Sequence, residues 1–406
     1  GSSEPRLLET LRGLSLTSAC AGAGFSLVLT SKGRLFGWGV NNEGQLRPEA
    51  SPDPALRMPV ELPLRDPVRL VACGEAHTLA ALSGGGVLAW GRNTFAQLGM
   101  DDTKPRSRPE KVPALEGTSV VHLAAGPAHS AAVTANGAVW TWGCGEDGRL
   151  GHGTATTRSS PKQLRSGFSE VPIVKVACGV AHTLVLGADG RVYSWGRGMT
   201  GALGHGTRDD IHKPTLIEAF ADGSAATDGK HVRGTPAVNV KEIAAAVLSM
   251  AIASDGTVYV FGECPFTGPT DTTEKTSAWP RPLSRLREVK CSTISCGTSH
   301  AAVVTTSGQV LTWGRGGGSI LGRPDRATPL PGARGPKGQA PGTSLMVQSL
   351  DTVALVACGY EHTVALSLPE KMLISRHAAS NPAMGGVLGT ATRELWAWYS
   401  RAADPA

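Results

Sequence analysis

The sequence predicts an all-β fold, a seven-bladed β-propeller of four-stranded blades, and three observations carry that prediction. A unit with a period of about 52 residues recurs seven times along the chain. Each unit contains short apolar or β-branched segments separated by turn residues, which is typical of strands. A segment before the first unit, EPRLLETL at 4–11, resembles the fourth strand that the seventh unit lacks. Four strands per unit at this period indicate propeller blades.

The fourth unit shows the repeat most clearly, in ACGVAHTLVLGADGRVYSWGRG at 177–198. Gly179 is followed by His182 and then by Trp195, and the same order and spacing recur in other units. The repeated positions elsewhere are Gly74, His77, Trp90, Gly126, His129, Trp142, Gly297, His300, Trp313, Gly359 and His362. The first unit has Phe25 at the His position, and the fifth departs most, with Ala245, Leu248 and Phe261. We therefore expect the fifth blade to be the least regular.

The seventh unit lacks its Trp at the usual distance, but ELWAWYSR at 394–401 matches the third strand and places Trp398 at the repeated position. A C-terminal helix over 391–402 is the alternative. We expect the strand, and we expect the N-terminal segment to complete the last blade, because closure removes an open sheet edge. Residues 1–406 then form a single propeller domain with insertions near 218–235, 323–345 and 369–393.

The repeated Cys and His positions could form a reactive thiol or a zinc site, since both residue types carry that chemistry. Internal comparison favours a structural role: Ala125 stands where other units have Cys73, Cys178, Cys296 and Cys358, and Phe25 and Leu248 replace histidines. We expect a small buried apolar residue at the Cys position and a buried His bonded to the backbone of its own blade. We expect the same structural role for His152 and His205 of the LGHG segments. We expect no catalytic, cofactor-binding or metal-binding residue.

Composition adds few constraints. The formal net charge is +6, without a long basic run, so binding to nucleic acid is open but not indicated. No uninterrupted apolar stretch is long enough for a membrane span. The cysteines show neither a CxxC pair nor a disulfide framework, which predicts reduced thiols in an intracellular compartment: cytoplasm, nucleus or mitochondrion. The chain begins without Met or an apolar signal core, as a trimmed or tagged sequence does.

The unit resembles the repeat of the regulator of chromosome condensation family, because Gly179, His182, Trp195-Gly196 and Leu203-Gly204 follow one another in that family's order. The resemblance covers residues 4 to about 401 and implies a seven-bladed propeller. Functions differ within the family: nucleotide exchange on a small nuclear GTPase with chromatin binding, ultraviolet sensing, scaffolding, ubiquitin ligation, and mitochondrial roles linked to ribosomal RNA. The loops GRNT, GCGED and GRGMT do not match the tryptophan-bearing loops of the photoreceptor.

The sequence contains none of three common enzyme motifs. These are the Gly-x-Ser-x-Gly elbow, the phosphate-binding Lys loop and the His-Glu-x-x-His helix. The Gly-rich stretch 314–322 follows a strand and opens no predicted helix, so we interpret it as a blade connection. The leading hypothesis is a non-enzymatic binding or scaffold propeller that engages a protein or ribonucleoprotein partner through one face. The alternatives are a guanine-nucleotide exchange factor for a small GTPase and a mitochondrial factor associated with RNA or ribosome assembly.

Strand direction predicts which loops share a face. Loops after Trp-Gly lie on one face, which we call the upper face, and the turns between second and third strands lie on the lower face. Arg92, Arg197 and Arg315 each follow the repeated Trp by two residues, and the 323–345 insertion adds further cations to the same face: Arg323, Arg326, Arg334 and Lys337. We predict a positive surface for an acidic protein or RNA; solvated arginines, or arginines bonded to neighbouring loops, are the alternative.

Overall fold

Seven antiparallel four-stranded sheets form the molecule, as the computed structural model shows. The structure describes residues 5–46, 55–165, 167–168, 171–221, 237–263, 276–314, 318–322, 345–347, 350, 352–367 and 393–399. The fold class predicted from the repeat, an all-β seven-bladed propeller, is confirmed. The fifth blade also has four strands.

The strands of the first four blades follow the N-terminal strand in chain order. They are β1 (Arg6–Leu7), β2 (Leu16–Ala21), β3 (Phe25–Thr30), β4 (Leu35–Val40), β5 (Ala55–Glu61), β6 (Val68–Cys73), β7 (His77–Leu82), β8 (Val87–Gly91), β9 (Arg106–Lys111), β10 (Val120–Ala125), β11 (His129–Thr134), β12 (Val139–Gly143), β13 (Arg158–Gln163), β14 (Ile173–Cys178), β15 (His182–Gly187), β16 (Val192–Gly196) and β17 (Ile211–Leu216).

The strands of the last three blades complete the ring. They are β18 (Val240–Ala245), β19 (Ser249–Ala253), β20 (Val258–Glu263), β21 (Thr276–Pro282), β22 (Cys291–Cys296), β23 (His300–Thr305), β24 (Val310–Gly314), β25 (Leu345–Met346), β26 (Val353–Cys358), β27 (His362–Ser367) and β28 (Glu394–Tyr399). Among the described residues, two short helices, α1 (Glu218–Ala221) and α2 (Gly318–Leu321), and four 3₁₀ turns lie between strands; the turns are Glu9–Leu11, Pro113–Leu115, Glu146–Gly148 and Ser284–Leu286.

Each blade buries its second strand on both faces. β3, β7, β11 and β15 are buried along their whole length, because blades pack against a neighbour on each side. The fourth strands alternate or expose most residues, as in β9, and form the outer edge. The repeated aromatic residues fill the space between blades, and burial of such large side chains dominates the stability of a core. The fully or almost fully buried ones are Trp38, Trp90, Trp142, Trp195, Phe261 and Trp313.

The first strand of each blade lies nearest the axis. A cavity of about 150 Å³ is lined by the last residues of all seven first strands together with the turns that follow them, including Gly22, Gly126 and Gly297. The ends of the first strands therefore meet around the axis on the upper face, and their beginnings lie on the lower face.

The N-terminal strand completes the seventh blade, as predicted. β1 pairs with β28, Arg6 opposite Ala397 and Leu7 opposite Trp396, in the sheet order β1-β28-β27-β26. Leu8 also donates its N–H to the Leu395 carbonyl at 2.9 Å. Trp398 lies opposite Thr363, the register that Trp195 has with Thr183 in the fourth blade. Residues 394–399 thus form the expected strand rather than a helix.

The three predicted insertions fall largely outside the described residues. Within 218–235 the structure describes only the short helix α1, where Phe220 is buried against Tyr259 with ring centroids 5.4 Å apart. Most of 323–345 and nearly all of 369–393 lie outside the described residues.

Candidate partner-binding face

The repeated histidines are buried, and each forms a hydrogen bond to the next blade. We call the packed boundary between two adjacent blades a seam. Their Nε2 atoms contact a Ser or Thr hydroxyl across the seam: His77 to Ser130 at 3.0 Å, His129 to Thr183 at 3.0 Å, His182 to Ser249 at 2.8 Å, His300 to Thr363 at 2.8 Å and His362 to Ser26 at 2.7 Å. The expectation that these side chains bond the backbone of their own blade is wrong. The physical reason is that the second strand faces the neighbouring blade, so its side chains reach across the seam.

The hydroxyl at each seam has two roles. Ser130 donates its proton to the Gln97 carbonyl at 2.8 Å, so it accepts the bond from His77 Nε2–H, and the Trp142 indole donates to the same carbonyl at 2.8 Å. Thr183 and Trp195 both donate to the Arg149 carbonyl in the same way. This pattern fixes a neutral imidazole with its proton on Nε2. Burial lowers the pKa of His77 to about 3 and of His182 to about 4.

Two of the seven seams lack this bond. At the first, Phe25 stands at the His position, and Thr78 of the next blade donates its hydroxyl proton to the Gln45 carbonyl at 2.8 Å. The fifth seam is apolar. Leu248 of the fifth blade packs in one buried cluster with Ala301 of the sixth, at the positions that His and Ser or Thr occupy elsewhere.

The fifth blade has Ala246 at the anchor rather than Ala245, which the sequence spacing predicted: the Ala246 N–H bonds the Leu248 carbonyl as the Gly179 N–H bonds the His182 carbonyl, and Ala245 takes the Cys position opposite Ser249. Elsewhere Gly is required, because a Cβ added to Gly74 would lie 2.1 Å from Cε1 of His77 and 2.7 Å from the Gly126 carbonyl. The fifth blade therefore lacks both members of this contact, with Ala246 in place of Gly and Leu248 in place of His.

The repeated cysteines line the upper axial cavity with the alanines that replace them in other blades. Cys178 and Cys358 are buried, as expected, while Cys73 and Cys296 are half-buried. Burial raises the pKa of the Cys178 thiol and raises that of Cys358 to about 12, which makes both poor nucleophiles. Across the described residues, no group of three or more His, Cys, Asp and Glu is placed to hold a metal ion.

His152 and His205 lie in the upper loops of their own blades. His152 Nε2 contacts the Thr141 hydroxyl at 3.0 Å, and His205 Nε2 contacts the Ser194 hydroxyl at 2.8 Å. Each hydroxyl donates to a loop carbonyl, Leu150 or Leu203, so each imidazole acts as a donor. Burial lowers the pKa of both histidines to about 4. They fasten the loop after the third strand.

Side-chain amides hold the upper loops of the first two blades in one shape. Asn41 Oδ1 accepts the Leu46 N–H at 2.8 Å, and Asn93 Oδ1 accepts the Leu98 N–H at 2.9 Å. In the second blade, Gln97 Oε1 accepts the Phe95 N–H at 2.9 Å. The loop of the fourth blade is held by Asp210, which accepts the Gly198 N–H at 2.8 Å. Side-chain hydrogen bonds therefore hold the described upper loops of the first, second and fourth blades in defined conformations.

The predicted arginines reach the upper face but carry carboxylate partners. Arg92 pairs with Glu43 at 3.2 Å and with Glu75 at 3.0 Å, so it joins the loops of the first and second blades. Arg197 pairs with Asp147 of the third blade at 3.0 Å. Arg315, Arg323, Arg326, Arg334 and Lys337 lie outside the described residues.

The two most exposed apolar side chains described on the same face escaped the sequence analysis. Phe95 is 45% exposed and Met199 is 63% exposed, and each lies in the upper loop that also contains one of the two arginines. Their signal in the sequence was position: both follow the repeated Trp-Gly by a few residues, outside the strand pattern. Exposed Phe and Met beside Arg is the composition by which protein interfaces differ from the rest of a surface.

Comparison with protein-family models establishes the family to which the chain belongs. The RCC1-like domain model matches residues 1–234, and the regulator of chromosome condensation (RCC1) repeat model matches residues 291–317 and 307–366. The chain belongs to the RCC1 repeat family. Its seven four-stranded blades are thus those of an RCC1-family propeller.

Two relatives with similar sequences differ greatly in length. The sequence is 32% identical over 321 residues to the ultraviolet-B receptor UVR8 of Arabidopsis thaliana, covering 78% of this chain and 69% of UVR8. It is 32% identical over 318 residues to the human E3 ubiquitin-protein ligase HERC2, covering 76% of this chain. The chain spans 6% of the length of HERC2.

Two solved structures share the fold of this RCC1-family chain. Human WBSCR16 superposes with a TM-score of 0.71 at 24% identity, covering 88% of each chain. Yeast RCC1 (Prp20), solved in complex with Kap60, superposes with a TM-score of 0.68 at 21% identity, covering 90% of this chain and 83% of Prp20. At these identities the likeness shows the fold. No helix among the described residues is long and apolar enough to cross a membrane.

Proposed function

We propose that this RCC1-family propeller is a protein-binding scaffold whose upper face receives the partner. The observation that carries the proposal is the exposure of Phe95 and Met199 beside Arg92 and Arg197 on loops held in place by side-chain hydrogen bonds. Apolar side chains on ordered loops lose little conformational freedom on binding, which favours affinity. The relatives named above support a role in protein interaction for the family.

Arg92 and Arg197 enter the proposed interface as members of ion pairs. A guanidinium that a neighbouring carboxylate orients can still bond a partner, because it has five donors. Asp147 is also bonded by Arg149, whose side chain is nearly buried, at 2.8 Å. The basic face predicted from the sequence is proposed here as a mixed-charge face with apolar contacts, to which Arg315, Arg323, Arg326, Arg334 and Lys337 add positive charge.

The experiment compares affinity capture by the wild type with capture by a Phe95→Ser/Met199→Ser variant, followed by mass spectrometry. We expect the variant to lose the main partner and keep its melting temperature, because both side chains are exposed. Met58→Ser is the matched control, since Met58 is 55% exposed on the outer strand β5. Capture of the same partners by wild type and double variant would move the interface away from the upper face.

Guanine-nucleotide exchange and binding to RNA or a ribosome in mitochondria are further proposals from the sequence. The fold likeness to yeast RCC1 makes exchange worth testing. An exchange factor needs carboxylates directed at the nucleotide site, whereas Glu43, Glu75 and Asp147 of the upper face are bonded to arginines. Release of labelled GDP from a captured small GTPase, accelerated by catalytic amounts of the protein, would establish exchange. Salt-sensitive binding of RNA would support the third proposal.

A further inference from the structure

A β-bulge occurs near the beginning of the first strand in every blade. The register with the second strand shifts across one residue, as it does between Val120 and His122 in β10 and between Ile173 and Lys175 in β14. We call the seven residues at the shift the lower rim: Thr17, Arg69, Val121, Val174, Lys241, Ser292 and Ala354. The first strands end at the upper axial cavity, so the lower rim surrounds the axis at the opposite face.

The bulge turns rim side chains outward while the preceding residue stays in the core. Val120 and Ile173 are almost fully buried, whereas the next residues, Val121 and Val174, are 37% and 41% exposed. A bulge adds one residue to a strand and redirects its side chain, and bulges are frequent beside binding sites. The core is complete without Val121 and Val174, so packing does not account for two valines at this exposed position.

Two cations flank the valines around the ring. Arg69 of the second blade and Lys241 of the fifth blade are exposed on either side of Val121 and Val174. Arg69 donates to the Val120 carbonyl of the next blade, which orients its guanidinium along the rim. Among the residues that the structure describes, neither cation has a carboxylate within ion-pairing distance, and Glu242, which follows Lys241, is paired with Lys175. The flanking charges are therefore available to a ligand.

We propose that the lower rim binds an extended acidic segment of a protein partner. Its carboxylates would contact Arg69 and Lys241, and an aliphatic or aromatic side chain between them would cover Val121 and Val174. Arginine suits a carboxylate because its planar donors can bond both oxygens. Sites for single-stranded nucleic acid combine cations with aromatic side chains that stack on bases. The lower rim has valines instead, which favours the peptide.

The test measures fluorescence anisotropy of a labelled acidic peptide that contains leucines, titrated with the full-length protein. We expect saturable binding that weakens with salt and falls about tenfold in an Arg69→Glu/Lys241→Glu variant. A Val121→Ser/Val174→Ser variant should lose affinity for this peptide but not for polyglutamate. The matched control is Arg108→Glu/Lys162→Glu, which makes the same charge change on exposed residues of the outer strands β9 and β13.

Each outcome decides the proposal. Equal losses in the rim variant and the control variant would mean attraction by net charge alone, and absence of saturable binding would overturn the site. Tighter binding of a single-stranded RNA of equal charge would assign the rim to nucleic acid instead. An Arg69→Gln/Lys241→Gln variant, which removes the charges without reversing them, serves if the first variant does not fold. Upper-face variants should leave this binding unchanged, so the two surfaces are tested separately.

Discussion

At the residue scale, the seam histidine and its hydroxyl partner form a pair that the chain itself varies. His182 and Ser249 face each other across the fourth seam, and Leu248 and Ala301 take the same two positions at the fifth seam. Both pairs are buried and matched in polarity, whereas the first seam combines Phe25 with Thr78, whose hydroxyl is bonded to the Gln45 carbonyl. A polar residue that loses its partner in the core costs more than an apolar pair in the same place.

This comparison predicts the result of a double-mutant cycle. His182→Leu should lower the free energy of unfolding by about 1–3 kcal/mol, because a buried hydrogen bond is lost. Adding Ser249→Ala should cost less than Ser249→Ala alone, with a coupling energy of about 1 kcal/mol. Urea unfolding of the four proteins measures the cycle. Strictly additive losses would show that the 2.8 Å contact contributes nothing to stability.

Sequence reasoning recovered the burial of these histidines but not their partners. Replacement of His by Phe25 and Leu248 was enough to predict an apolar site. The partner lies in the next unit, and that contact depends on how blades pack rather than on local pattern. A signal did exist: Ser or Thr follows the His position in most units, and Ala301 follows it in the unit after Leu248. The pairing of Arg92 with Glu43 was invisible for the same reason, since Glu43 belongs to another blade.

At the element scale, the short strand β1 has an effect out of proportion to its length. It covers the outer edge of β28, and Leu11, just after it, is buried between the seventh and first blades. The spacing of the repeat predicted this strand, because a unit without a fourth strand needs one from elsewhere. The bulges of the first strands could not be predicted from the sequence. A bulge is defined by the pairing register with a neighbouring strand, and it has no characteristic residue composition.

Deletion of residues 1–11 should therefore expose the edge of β28 and remove buried Leu11. We expect a lower melting temperature and concentration-dependent association, because an unpaired strand edge recruits other strands. Differential scanning calorimetry and light scattering measure the two effects. Deleting residues 1–4 alone, which stops short of β1, is the control. A monomeric 1–11 deletion with unchanged stability would contradict the closure function of β1.

At the scale of the whole molecule, five seam histidines make the ring sensitive to acid. Burial lowers the pKa of His300 to about 3 and of His362 to about 4, from an ordinary value of 6.5. The unfolded chain then binds more protons than the folded one below pH 6.5, so stability is complete above that pH and falls as pH decreases. The carboxylates titrate lower, which leaves pH 5 to 6.5 as the window for the histidines.

The expected result is a urea midpoint that falls from pH 6.5 to pH 5, each buried histidine contributing up to about 1.4 kcal/mol per pH unit. The His182→Leu/Ser249→Ala variant has one such histidine fewer. Its stability should depend less steeply on pH, because the number of protons taken up on unfolding is smaller by about one. Parallel pH profiles for variant and wild type would mean that His182 is charged, or exposed, in the folded protein.

Two contacts determine when the ring can close during synthesis. They are the pairing of Arg6 with Ala397 and the hydrogen bond between His362 and Ser26. During synthesis the early blades can form as soon as their own strands leave the ribosome. β1 must wait for β28, so the seventh blade closes only after translation has passed residue 399. Until that moment the growing chain is an open arc whose first and last blades have unpaired surfaces. Because such surfaces promote aggregation, ring closure is the step at which a chaperone would be needed.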